Sequence, residues 1–189
     1  MKKPRQISFL NQEEVVKLLA IPDTTTLAGI RDLAILSTLC STGLHVTELA
    51  ALNLSNLDFI NQQLIVGGKK GRVISVAVTI LMMITGYREF LRTVPEAVVN
   101  NQAVFLNYKG NRLSADGICA IIRWYLVQVG FKANGGRCVL RHSFAMGRIT
   151  QGVSRRELQV SLGLSLRSRT ARVYSKLVRQ QSANQTAAG

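Results

Sequence analysis

The feature that most limits the fold of this chain is a single interruption of helical periodicity. Apolar residues recur at helical spacing along most of the sequence, except between Asn56 and Val76. There the pattern turns into short runs at 58–60, 64–67 and 72–76. They are joined by Asn61-Gln62 and by the turn Gly67-Gly68-Lys69-Lys70-Gly71. Short runs bounded by Asn and Gly read as strands linked by hairpins. The expectation is an α+β fold, mainly α-helical, with one small three-stranded antiparallel sheet.

The helices around that sheet are punctuated by capping residues. Asn11 with Glu14 reads as a capping box for a short helix that ends at Pro22-Asp23-Thr24. A second helix is predicted over 27–40, with Ile30, Ala34, Leu36 and Leu39 turned inward and Ser41-Thr42-Gly43 as its break. A short helix follows over 46–51, and helical spacing returns over 79–93 after the strands. Residues 103–106 read as an isolated extended segment. The strongest period lies between Ser114, an N-cap, and Gly130, a stop signal. Further helices are predicted over 139–151, from the capping box Ser154/Glu157 to Gly163, and from about residue 168, carrying Tyr174 and Leu177. Residues 1–178 form one domain on this reading. Residues 179–189, polar and small, form a flexible tail.

Charge narrows the class of partner. Lys and Arg number 24 against 10 Asp and Glu, a formal net charge of +14. Such an excess points first to nucleic acid, although a basic solubility surface or a ribosomal or membrane-surface protein would share it. Cys40, Cys119 and Cys138 stand far apart, without CxxC spacing, and the sequence holds 2 His. That argues against a disulfide scaffold and against a zinc cluster. No apolar run approaches membrane-spanning length, and the basic N-terminus lacks a signal-type stretch. A cytoplasmic protein is the expectation.

Four segments stand out as chemistry. They are Cys40-Ser41-Thr42-Gly43-Leu44-His45-Val46-Thr47-Glu48-Leu49, the Lys-rich turn through Arg72, Cys138-Val139-Leu140-Arg141-His142-Ser143-Phe144-Ala145, and Ser161-Leu162-Gly163-Leu164 followed by Tyr174. Their order resembles the catalytic domain of the site-specific tyrosine recombinase (phage integrase) family. That family carries a Thr-Gly-Leu-Arg box, a hairpin lysine, a His-x-x-Arg box, a Leu-Gly-His or Leu-Gly-Trp box and a nucleophilic tyrosine. The likeness covers nearly the whole chain and extends to Arg31-Asp32 and Glu48-Leu49.

The resemblance implies that Tyr174 attacks a phosphate of double-stranded DNA and forms a 3′-phosphotyrosyl link without metal or cofactor. It implies that Arg141 clamps the phosphate oxygens and that Lys69, with Lys70 as close competitor, protonates the leaving oxygen. Lys70 and Arg72 would grip the DNA backbone. It also marks departures. His45 stands where the family has its first arginine, Cys138 where it has histidine, and Leu164 where it has histidine or tryptophan. The gap from Leu164 to Tyr174 is also one residue longer than the family's. His142 is set aside as a replacement for Cys138, because neighbours on a helix diverge by about 100° and Arg141 faces the site. The lead-in before Asn11 is too short to hold the family's separate N-terminal DNA-clamping domain. Three readings follow: an impaired recombinase acting as integrase, resolvase or inversion switch; a DNA-binding relative or mobile-element remnant that no longer cleaves; and a basic RNA-binding or ribosome-associated protein. Assembly as a tetramer on DNA, or with a partner recombinase, is what the resemblance implies for the first.

Overall fold

A helix leaves its first backbone N–H groups unpaired, and side chains placed just before it take them up. In the computed structural model, which describes residues 7–67, 71–93, 102–131, 138–164 and 169–187, that rule sets several helix starts. Asn11 and Glu14 bond each other's backbone reciprocally and open α1 (Gln12–Leu19). Thr26 accepts from Gly29 N and opens α2 (Leu27–Thr42). Ser114 opens α5 (Ala115–Gln128), and Ser154 with Glu157 opens α7 (Arg155–Leu162). The remaining helices are α3 (Val46–Ala51), α4 (Val78–Thr93), α6 (Val139–Thr150) and α8 (Arg169–Ala187). Among the described residues no helix is long and apolar enough to cross a membrane.

The sheet has the order β1-β2-β3, from Leu57–Asp58, Gln63–Val66 and Arg72–Ser75, all antiparallel. These strands coincide with the predicted ones to within a few residues. Leu64 pairs with Ile74, and Val66 with Arg72. Directly opposed residues share a face, and Leu64, Val66 and Ile74 are buried while Ile65 and Val73 are exposed. Arg72 is therefore aimed at the body of the protein. The segment at 103–106 forms isolated bridges, Asn53 with Ala103 and Leu106 with Arg112, as the extended reading anticipates.

Helix α2 sits at the centre and packs against α4 and α6. Its Ala34, Ile35 and Leu36 are fully buried in the aliphatic core. A second, smaller cluster joins Ala145 and Ile149 of α6, Leu158 and Leu162 of α7 and Tyr174 of α8. Thus α6 belongs to both, giving Val139 and Leu140 to the first cluster. The final helix differs from the predicted boundary. Its backbone continues to Ala187, through most of the segment read as a tail, where Ala, Gln and Arg are good helix formers.

Gly43 closes α2 in the left-handed region, at φ 62. A Cβ there would lie 2.4 Å from the Phe144 ring and 2.8 Å from the Leu162 side chain. Gly43→Ala should therefore lower the unfolding free energy by about 2–4 kcal/mol, combining the left-handed penalty with overpacking. The urea-unfolding midpoint reads this, and a midpoint equal to wild type would contradict the packing of α2 on α6 and α7.

Candidate active site

The site is assembled where α2, α3, β3, α6, α7 and α8 present their ends to one another. Its centre is Arg141, in the first turn of α6. The guanidinium donates to the Gly43 carbonyl at 2.7 Å and to the Leu162 carbonyl at 2.6 Å, and lies 3.8 Å from Glu48 Oε2. Its side chain is 11% exposed. Burial pulls its pKa down, as does the Arg72 charge, while Glu48 pushes it up. An arginine remains a cation under such shifts.

Glu48 joins three parts of the site. On α3 it completes a capping box by accepting from His45 N at 2.7 Å. It also takes both terminal nitrogens of Arg72, at 2.5 and 3.1 Å. Burial alone would raise its pKa. The Arg72 hydrogen bond, the His45 N–H and the charges of Arg72 and Arg141 together hold it below the usual value. Gly163 makes room for this arrangement. It ends α7 at φ 59, and a Cβ on it would stand 2.4 Å from an Arg72 terminal nitrogen.

Tyr174 is 2% exposed in the smaller cluster. Its hydroxyl is hydrogen-bonded to Nδ1 of His142, and the two rings meet edge-on with centroids 5.8 Å apart. Burial pushes the phenol pKa far up. The Arg141 charge pulls it back and Cys138 adds to the rise. Burial and the Arg141 charge lower the pKa of His142. One cluster of neighbouring side chains therefore holds a buried guanidinium, a buried phenol and a neutral imidazole, a set able to bind an anion and move a proton.

The sequence-predicted residues fall as follows. Arg141 and Tyr174 are brought together. Arg72 lies beside them, tied to Glu48. His45 caps α3, with Nδ1 2.7 Å from Thr47 Oγ1 and 3.3 Å from Thr47 N. Cys138 precedes α6, half-buried, and makes no capping bond. Leu164 packs against the smaller cluster and donates its N–H to Gln159 O. Lys69 and Lys70 lie outside the described residues. Sequence reasoning missed the roles of Glu48 and His142. The Glu48 signal was its place three residues after His45 in a capping box. The His142 signal was its spacing from Cys138. Among the described residues, no three His, Cys, Asp or Glu side chains gather where a metal ion would sit.

Comparison with known proteins bears on this geometry. The model of the phage integrase family matches residues 8–181. The chain is 35% identical over 178 residues to tyrosine recombinase XerD of Staphylococcus epidermidis, covering 91% of this chain and 59% of that protein. It is 33% identical over 173 residues to tyrosine recombinase XerC of Pelotomaculum thermopropionicum, covering 88% and 56%. The chain thus spans less than two thirds of these curated relatives. Among solved structures, XerA recombinase superposes with a TM-score of 0.77 at 24% identity, over 96% of this chain and 66% of the other. XerH recombinase, solved with palindromic difH substrate after cleavage, gives 0.76 at 23% identity, over 95% and 52%. The fold of this chain is the fold of those proteins.

Glu48→Gln tests the electrostatic frame. The folded-state pKa of Glu48 lies below its ordinary value, so its stabilisation is present above that value and is lost as pH falls through the lower one. At neutral pH the variant should lose about 1–3 kcal/mol, less than a fully buried pair would because the carboxylate is partly exposed. The difference from wild type in urea unfolding should shrink below about pH 4. A difference that stays constant through that range would show that the carboxylate is not paired in solution.

Proposed function

Since the chain belongs to the phage integrase family, we propose that it is the catalytic domain of a tyrosine-type site-specific recombinase, cutting and rejoining duplex DNA at a reduced rate. The meeting of Arg141 and Tyr174 supports this reading above all else. Two helices bring a phenol under the influence of a buried guanidinium, at a place lined by all the described boxes. The unit responsible is residues 1–178.

In the reaction, Tyr174 attacks a DNA phosphate, forming a phosphotyrosyl bond as the bond to the 5′ oxygen breaks. Arg141 balances the charge that gathers on the non-bridging oxygens. The hairpin lysine, Lys69 or its neighbour Lys70, gives the leaving oxygen its proton. Lys70 and the wider positive charge hold the backbone, while Arg72, expected to share that grip, is turned inward with both terminal nitrogens on Glu48 and supports the charge frame behind Arg141. His45, Cys138 and Leu164 replace an arginine, a histidine and a histidine or tryptophan of the family pattern. A neutral imidazole at position 45 cannot make the bidentate contact of a guanidinium, and loss of one such donor slows reactions by about two to three orders of magnitude. Assembly on DNA, as a tetramer or with a partner recombinase, completes the reading. One observation favours a second reading, a DNA-binding relative that no longer cleaves: the phenol is buried rather than presented to solvent.

A nicked duplex that traps the covalent adduct distinguishes the two. Wild type should yield a DNA-linked band on a denaturing gel, absent in Tyr174→Phe and reduced about 10²–10³-fold in Arg141→Ala. The triple change His45→Arg, Cys138→His, Leu164→His should raise the yield. Salt-sensitive duplex retention without any band would favour the non-cleaving relative. Equal retention of duplex DNA and RNA would count against both.

A further inference from the structure

We infer that His142 is the catalytic residue that takes the proton from Tyr174, doing from one helical turn along α6 what Cys138 cannot do; the inference rests on the recombinase reading above. Three observations carry it. The first is the direct hydrogen bond between His142 Nδ1 and the Tyr174 hydroxyl. The second is register. Cys138 and His142 are four residues apart, linked by the bond from His142 N to Cys138 O at 2.8 Å. Residues at that spacing lie on one helix face, so a side chain at 142 reaches the phenol that a side chain at 138 also approaches. The third is elimination among the phenol's neighbours. Arg141 and Cys138 are the other groups whose charge influences it. A guanidinium has no acceptor and a thiol is a weak one.

The proton balance is simple. As the Tyr174 oxygen closes on phosphorus, its O–H bond breaks and the proton passes to Nδ1 of His142. The electron pair left on oxygen becomes the new O–P bond, and the departing 5′ oxygen is protonated separately by the hairpin lysine. The groups facing this exchange are Arg141 from α6, Cys138 just before it and Tyr174 from α8, with Glu48 of α3 and Arg72 of β3 standing behind Arg141. Burial and the adjacent guanidinium keep the imidazole neutral near pH 7, and in the tautomer with its proton on Nε2 the ring accepts the phenol's hydrogen bond at Nδ1. The same repulsion makes the acquired proton easy to return when the strand is rejoined.

The chain holds 2 His, so histidine-selective nitrogen NMR resolves His142 once His45→Asn identifies the other ring. Nδ1 of His142 should be the unprotonated nitrogen, titrating below the ordinary 6.5, and Tyr174→Phe should shift it. In the trapping assay, covalent yield should fall as pH drops through that titration. His142→Gln keeps a hydrogen-bonding side chain but cannot take a proton. It should cut the cleavage rate about 10²–10⁴-fold and abolish the acid limb. Adding Cys138→His to His142→Gln should restore both rate and limb, which a purely structural role for His142 would not allow. Wild-type cleavage with an unchanged rate and limb in His142→Gln overturns the proposal alone, as does a proton resident on Nδ1. Absence of any wild-type adduct overturns the recombinase reading and the proposal with it.

Discussion

The buried guanidinium of Arg141 is the constraint on which the rest of the site depends. A charge removed from water is tolerated only where its hydrogen bonds and counter-charge are supplied. Here they come from the end of α2, the end of α7 and the carboxylate on α3. Each supplier is then constrained in turn. The Gly43 carbonyl is presented by a left-handed helix end crowded by Phe144 and Leu162. The Leu162 carbonyl is free because α7 stops at Gly163. Glu48 sits opposite because a capping box fixes the start of α3. A single cation thereby draws its partners from the termini of three helices.

Arg72 extends the same logic into the sheet. Its register opposite Val66 turns it inward, and Glu48 receives it. Two guanidinium groups thus share one carboxylate in a chain with a large positive excess. Neither arginine can be relieved of its partner without leaving unbalanced charge in a partly buried place. The small size of Gly163 admits the Arg72 side chain at the point where α7 ends. Backbone geometry and electrostatics reinforce each other there.

Much of this was legible in the sequence, and the legible part is local. Capping boxes at Asn11/Glu14 and Ser154/Glu157, the stops at Gly43 and Gly163, and the strand runs around Leu64 and Arg72 are all encoded within a few residues of where they act. Arg141 and Tyr174 were legible because their flanks match a family pattern. What was not legible depends on spacing in three dimensions. Arg72 meets Glu48 across 24 positions of sequence, through a sheet register that no local pattern specifies. His142 was set aside by measuring its angle from Arg141. Its position one turn beyond Cys138 on the same face, and the hydrogen bond this allows to Tyr174, emerge only with the packing of α8 on α6. The backbone of α8 runs on to Ala187, into the segment expected as a tail, for a different reason: Ala, Gln and Arg there have high helical propensity although no apolar period marks them.

Tyr174 serves two incompatible ends. As a core residue it is the largest member of the smaller cluster, filling the space among Ala145, Ile149, Leu158 and Leu162. As the proposed nucleophile its oxygen must reach a phosphate. Withdrawing an aromatic ring from a packed site forfeits interactions of the order lost in a large-to-small core substitution, about 3–5 kcal/mol. If the ring stays and only its oxygen is exposed, α8 must shift instead. In either case DNA has to supply free energy before chemistry begins. Binding energy used in that way does not appear as affinity. A buried, hydrogen-bonded phenol is then a safeguard against cleavage without substrate. On the proposed reading, the smaller complement of charge-stabilising groups, with His45 in place of an arginine, is then what limits the rate once DNA is bound.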